Sequence, residues 1–184
     1  MKLMGGCRFD PAETDVRQGA ETLLSPGHNS AFYEPETGRY FIIFHTRYAG
    51  RGDYHSVRVH LMTMNGDLWP VMSPVRYCGE SGEAPDVSNR PGKYKVLFHE
   101  HDINRTAHVS KTAVLKADGT VEGAASGAWE SDPDGTARLV LEGDTFRGAF
   151  IRGYDEAQGA WVSCFTALNE NGEAVWGIRT DGEE

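Results

Sequence analysis

The sequence of 184 residues has room for one domain or two compact ones. Its 39% hydrophobic residues, with Trp 4, Tyr 7 and Phe 8, supply enough apolar area for a packed core, which excludes global disorder. A net charge of −9 repels phosphate backbones and anionic lipid, which disfavours nucleic-acid and membrane-surface roles.

The chain reads as all-β. Residues 30–34 (SAFYE) form a strand that runs into the turn PETG at 35–38, and Tyr40-Phe41-Ile42-Ile43-Phe44 follows, apolar on both faces as in a strand buried between neighbours. Residues 57–64 (VRVHLMTM) alternate, with Val57, Val59 and Leu61 on one face and Arg58, His60 and Met62 on the other. A turn at Asn65-Gly66-Asp67 leads to a fourth strand over 71–78. Four strands joined by short connections make an antiparallel, blade-like meander over 1–78. Residues 79–91 are rich in Gly, Pro, Ser and acid and read as a linker. From 92 to 184 a second β region follows, with strands predicted around 94–98, 109–116, 125–130, 137–142, 145–153, 160–168 and 173–179. Asp118-Gly119, Asp134-Gly135 and Asn171-Gly172 favour the positive φ values of tight hairpin turns, so this region is expected to be an antiparallel barrel or sandwich. Cys7, Cys78 and Cys164 contain no CxxC pair and are odd in number, so they read as three buried thiols. No apolar run approaches a membrane span, and the opening MKLMGGCRFD lacks the apolar core of a signal peptide. The chain is therefore expected to be soluble.

Polar residues in apolar settings concentrate in the first half. His28 and Asn29 lie just before a strand, His45 and Arg47 end the buried strand, and His55, Arg58 and His60 lie on or beside the alternating one. A histidine in such a place is more often a hydrogen-bonded structural residue than a ligand. In the second half, His99 and His101 would share a strand face, where two imidazoles can chelate one ion, but no third ligand is identifiable. Trp129, Trp161 and Trp176 are candidates for stacking on a sugar, although a Trp on a barrel strand is more often core.

The motifs GHNS, HTR, HSVRVH and WPV occur in that order within residues 25–77. In this they resemble the last part of the catalytic propeller of glycoside hydrolase family 43, in its arabinanase branch. The more loosely matching GKYKVLFHEHD, DGTVEGAASGAWE and AVWG resemble the C-terminal β-barrel of that branch. The resemblance implies a five-bladed propeller that hydrolyses α-1,5-linked arabinan with inversion. It implies that His28 sits beside a metal ion, usually calcium, and that Arg47 and Arg58 are framework residues that tie strands together. Calcium prefers six to eight oxygen ligands, so a single imidazole would need water to complete the shell. The carboxylates of the inverting reaction come from earlier blades in the family, so no residue here matches a catalytic position. Leu61 stands where the family usually has Gln, and Gly66-Asp67-Leu68-Trp69-Pro70 departs from the usual acid-Gly-Trp-Pro turn. The expectation is a closing blade with an accessory barrel, not catalytic alone. It would pair with itself or with a chain supplying the missing blades, and its ligand would be arabinan or a related oligosaccharide. The alternative is a carbohydrate-binding or structural module beside a separate catalytic chain.

Overall fold

The computed structural model describes residues 1–9, 22–102 and 106–181. Alternating and doubly apolar segments form the strands, and among the described residues helix is limited to one 3₁₀ turn at Val87–Asn89. The first sheet has six strands: β1 (Cys7–Arg8), β2 (Leu23–Glu34), β3 (Arg39–Tyr48), β4 (His55–Met64), β5 (Pro70–Met72) and β7 (His108–Val109). Their order is β5-β4-β3-β2-β1-β7, antiparallel except for the parallel pair β1/β7.

The other eight strands close into an antiparallel barrel. They are β6 (Gly92–His99), β8 (Lys111–Leu115), β9 (Thr120–Gly123), β10 (Gly127–Ser131), β11 (Thr136–Leu141), β12 (Asp144–Asp155), β13 (Ala160–Asn169) and β14 (Ala174–Arg179). Each pairs with the next barrel strand, and β14 returns to β6, so no edge is left open. The interior is filled by side chains, among them Tyr94, Leu139, Phe150 and Phe165. Gly177 is required there: a Cβ at this position would lie 2.0 Å from Cε1 of Phe165.

The predicted fourth strand, 71–78, shortens to Pro70–Met72. Pro74 has no N–H to give the ladder, and the chain beyond follows β4 through isolated bonds, Ser73 N–H to Leu61 O at 2.8 Å and Tyr77 N–H to Val59 O at 2.8 Å. The strand predicted at 30–34 instead starts at Leu23 and passes Pro26 and Gly27 through two register shifts. β1, β7 and β9 were not expected from the pattern. Of the three cysteines expected to be buried, Cys7 and Cys164 are, whereas Cys78 is exposed.

Sheet and barrel meet in several buried apolar clusters. Ile42, Phe44, Met62 and Met72 of the sheet pack with Leu97 and Trp176 from the outside of the barrel. Val71 packs on Leu168 and Ala174, and Val75 on Val162, Cys164 and Ile178. Within 79–91, Arg90 is fully buried. Its guanidinium donates to the carbonyls of Pro85 at 3.0 Å and Pro133 at 2.9 Å and to Ser131 Oγ at 2.8 Å, and it lies over the Phe150 ring.

Candidate functional site

The strand that carries GHNS is bent on purpose. Ser25 and His28 both take left-handed backbone conformations, φ 49° each, at the two register shifts of β2. A non-glycine residue rarely holds such a φ without a local reason. The bend turns His28 toward β3, where its ring meets His45 edge-on with centroids 5.5 Å apart, and His45 meets His55 at 4.6 Å. These three imidazoles lie on the outer face of the sheet together with Arg47. Arg47 donates to Asp53 at 2.6 Å and to Ser25 Oγ at 3.1 Å and so ties β2 to β3 and the 49–54 loop. Partial burial, and then the neighbouring imidazoles of His55 and His28, hold the His45 pKa below the usual value, so its ring is neutral near pH 7.

The other predicted polar residues turn the opposite way. Arg58 and His60 face the barrel, because β4 alternates and their positions differ in parity from His55. His60 Nδ1 lies 2.8 Å from Ser73 O, which requires the proton on Nδ1 and leaves Nε2 to accept from Arg58 Nε at 3.3 Å. Arg58 also donates to Tyr48 Oη at 2.8 Å. Burial, and then the Arg58 guanidinium, push the His60 pKa down to about 3. Asn29 is exposed on β2 and joins neither group. The sequence's single polar cluster is thus two, separated by the thickness of the sheet.

The resemblance implies a calcium beside His28. This histidine brings one nitrogen, and the ring packed against it is the His45 imidazole, which offers none of the oxygens that calcium prefers. Among the described residues, no group of three or more acidic, His or Cys side chains with mutually close ligand atoms includes His28. Among the described residues, the one group of three or more acidic, His or Cys side chains with mutually close ligand atoms is Glu100, Asp102 and His108. There the Lys2 ammonium already occupies the cation's place, 2.8 Å from Asp102 Oδ1, and His108 Nε2 lies 2.9 Å from Asp102 Oδ2. The bond from Lys2, and then that from His108, draw the Asp102 pKa down to about 2. The expected His99/His101 pair does not form a face: β6 ends at His99, whose ring is buried against Trp176, while His101 is exposed beyond the strand.

Residues 74–177 match the glycoside hydrolase family 43 model described as the C-terminal lipocalin-like domain, which covers most of the chain and the whole barrel as far as Gly177. The chain belongs to that family. Over 97% of its length it is 41% identical to the extracellular endo-α-(1→5)-L-arabinanase 2 of Bacillus subtilis (strain 168), and over 98% it is 38% identical to the extracellular endo-α-(1→5)-L-arabinanase of Thermotoga petrophila. It spans only 37% and 39% of those two proteins. The crystal structure of a family 43 glycoside hydrolase from Bacillus licheniformis superposes on 98% of the chain with a TM-score of 0.90 at 39% identity. The Thermotoga petrophila arabinanase structure does so with a TM-score of 0.90 at 36% identity. In each case the chain covers 39–40% of the solved protein.

The family 43 barrel places the three predicted tryptophans in three different settings. Trp129 is part of the barrel interior, with its Nε1 donating to Lys116 O at 2.8 Å. Trp176 is 1% exposed at the junction with the sheet, between His60 and His99. Trp161 alone keeps a partly exposed ring, with Arg152 over one face at 5.0 Å and Tyr154 against its edge. No common aromatic platform is formed. Sequence reading missed the exposed Trp69 and the facing arginines Arg138 and Arg147, which only strand register brings together.

Proposed function

We propose that this chain provides the closing sheet and accessory barrel of an arabinan-degrading family 43 glycoside hydrolase. The carboxylates of the reaction would come from polypeptide outside residues 1–184. The observation that carries the reading is that sheet and barrel together, over 98% of the chain, superpose on a family 43 endo-1,5-α-L-arabinanase. The Bacillus subtilis and Thermotoga petrophila relatives are both extracellular endo-arabinanases, which supports an exported arabinan-degrading assembly. No helix among the described residues is long and apolar enough to cross a membrane.

The exposed stretch of β2 and its neighbour on β4 support the same reading. His28 to Tyr33 are exposed in succession, including Phe32 at 51% and Tyr33 at 48%, and Val57 on β4 is 72% exposed. A strand open on both faces and along one edge is completed by a neighbouring sheet. In this reading the complementing blades cover it, and His28 offers one nitrogen to a calcium whose oxygen ligands come from water and from those blades. Without them a second copy is the alternative cover.

The test is complementation. The chain alone is expected to release no reducing sugar from linear arabinan, and mixing it with the N-terminal remainder of a family 43 arabinanase lacking its own closing region should restore hydrolysis. Robust hydrolysis by the chain alone, abolished by changing one of its own acids, would overturn the proposal.

A further inference from the structure

We infer that the groove between the β10–β11 hairpin and the Asn65–Trp69 turn is a binding site for a neutral oligosaccharide, separate from the sheet face discussed above. The groove has a volume of about 450 Å³ and is lined by Glu130, Ser131, Asp132, Thr136, Arg138 and Arg147. That volume falls in the range of roughly 300–1,000 Å³ usual for small-molecule sites.

Strand register sets its chemistry. Glu130 stands directly opposite Arg138, and Arg138 directly opposite Arg147. Two like charges in facing positions destabilise a sheet, so this pair calls for acceptors. The acceptors within the protein are poor: Glu130 lies 3.5 Å from Arg138 and Asp67 lies 3.3 Å from Arg147, between side chains that are 49–72% exposed. Ion pairs of that kind hold little energy and leave guanidinium N–H groups for a ligand. A sugar hydroxyl both donates and accepts, and a row of carboxylate, guanidinium and hydroxyl groups satisfies both roles. Glu130, Asp132 and Asp67 outnumber the two arginines, so an anionic sugar is disfavoured.

The walls are fixed in advance. Asn65, 5% exposed, accepts the N–H groups of Asp67 at 3.0 Å and Trp69 at 2.9 Å and donates to Arg147 O at 3.2 Å. Ser131 is held from behind by buried Arg90 at 2.8 Å. Little ordering is left for binding to impose.

The choice of sugar rests on the proposed function, so the probe is a linear α-1,5-arabino-oligosaccharide, titrated into the full chain and followed by amide NMR. Saturable shifts are expected at residues 130–138 and 147. The Arg138→Ala, Arg147→Ala double variant should bind about tenfold or more weakly. Its melting curve should be unchanged, and Arg147→Lys should fall between. An oligogalacturonate should not compete. Absence of shifts in the groove, shifts confined to Trp161, wild-type affinity in the double variant, or tighter binding of the oligogalacturonate would each overturn the inference. Restored hydrolysis on complementation with a silent groove would overturn it while leaving the proposed function standing.

Discussion

The barrel and the sheet are built from similar strands and end in opposite states. The barrel closes on itself, pairs every strand on both sides and fills its interior with Tyr94, Phe150 and Phe165. The sheet packs Ile42, Phe44 and Met62 on the barrel, and among the described residues its run from His28 to Tyr33 is exposed. Self-sufficiency here follows from closure rather than composition, since Phe32 and Tyr33 are as apolar as the residues inside the barrel. A strand that cannot return to its starting neighbour has to be completed from elsewhere.

Core truncation should separate the two regions most strongly. Phe150→Ala, at a site 2% exposed, is expected to cost about 3–5 kcal/mol. Phe32→Ala, at 51% exposure, should stay within about 0.5 kcal/mol in denaturant melts while reducing self-association by light scattering. Equal losses at both positions would mean that the open face is already covered in solution.

Acid should act next, at the junction. His60 and His99 are both buried beside Trp176 with pKa values near 3, against 6.5 unfolded. Burial is the leading cause for each, followed by Arg58 for His60 and by His108 for His99. A depressed folded pKa means that unfolding takes up a proton. The stabilisation is complete above pH 6.5 and is lost as pH falls toward 3. Each histidine contributes a slope of about 1.4 kcal/mol per pH unit in that window. Calorimetry across pH 7 to 4 should therefore show a falling melting temperature, and a flat profile would contradict the buried neutral rings. Asp102, drawn down to about 2, adds its loss only below pH 4.

Smaller effects sharpen the seam itself. Asn65→Ala removes two hydrogen bonds that shape the 65–69 turn and one that anchors it to β12, and should cost about 1–3 kcal/mol. It should also loosen the amides of Asp67 and Trp69 in hydrogen exchange while leaving the barrel interior protected.

The strands with a single pattern were legible in the sequence. β3, β4, β12, β13 and β14 fall close to where apolar runs and Asp-Gly or Asn-Gly turns place them. What the pattern concealed depends on pairing between distant segments. Cys7-Arg8 and His108-Val109 are too short to show a period, yet they form the parallel pair β1/β7. Trp176 alternates outward from the barrel and is buried only because the sheet lies against it. The histidines were identifiable as a group by residue type. Their division between two faces follows from parity along β4 and from the bend at His28, and neither a bulge nor a left-handed histidine leaves a mark in composition. The Arg138–Arg147 pair is invisible for the same reason: nine residues apart, they become neighbours only through the register of β11 with β12.

The two-residue strand β7 has a mechanical consequence. The chain leaves the barrel after β6, clips onto β1 of the sheet, and re-enters at β8, while the Lys2 ammonium grips the carbonyl of Glu100 from the other side. The barrel is therefore sewn to the sheet at two points along the chain, and cutting between 79 and 91 severs only one of them. A protease nick in that segment should leave the halves comigrating under native conditions. Pulled from its ends, the molecule should yield as one body before it separates into two.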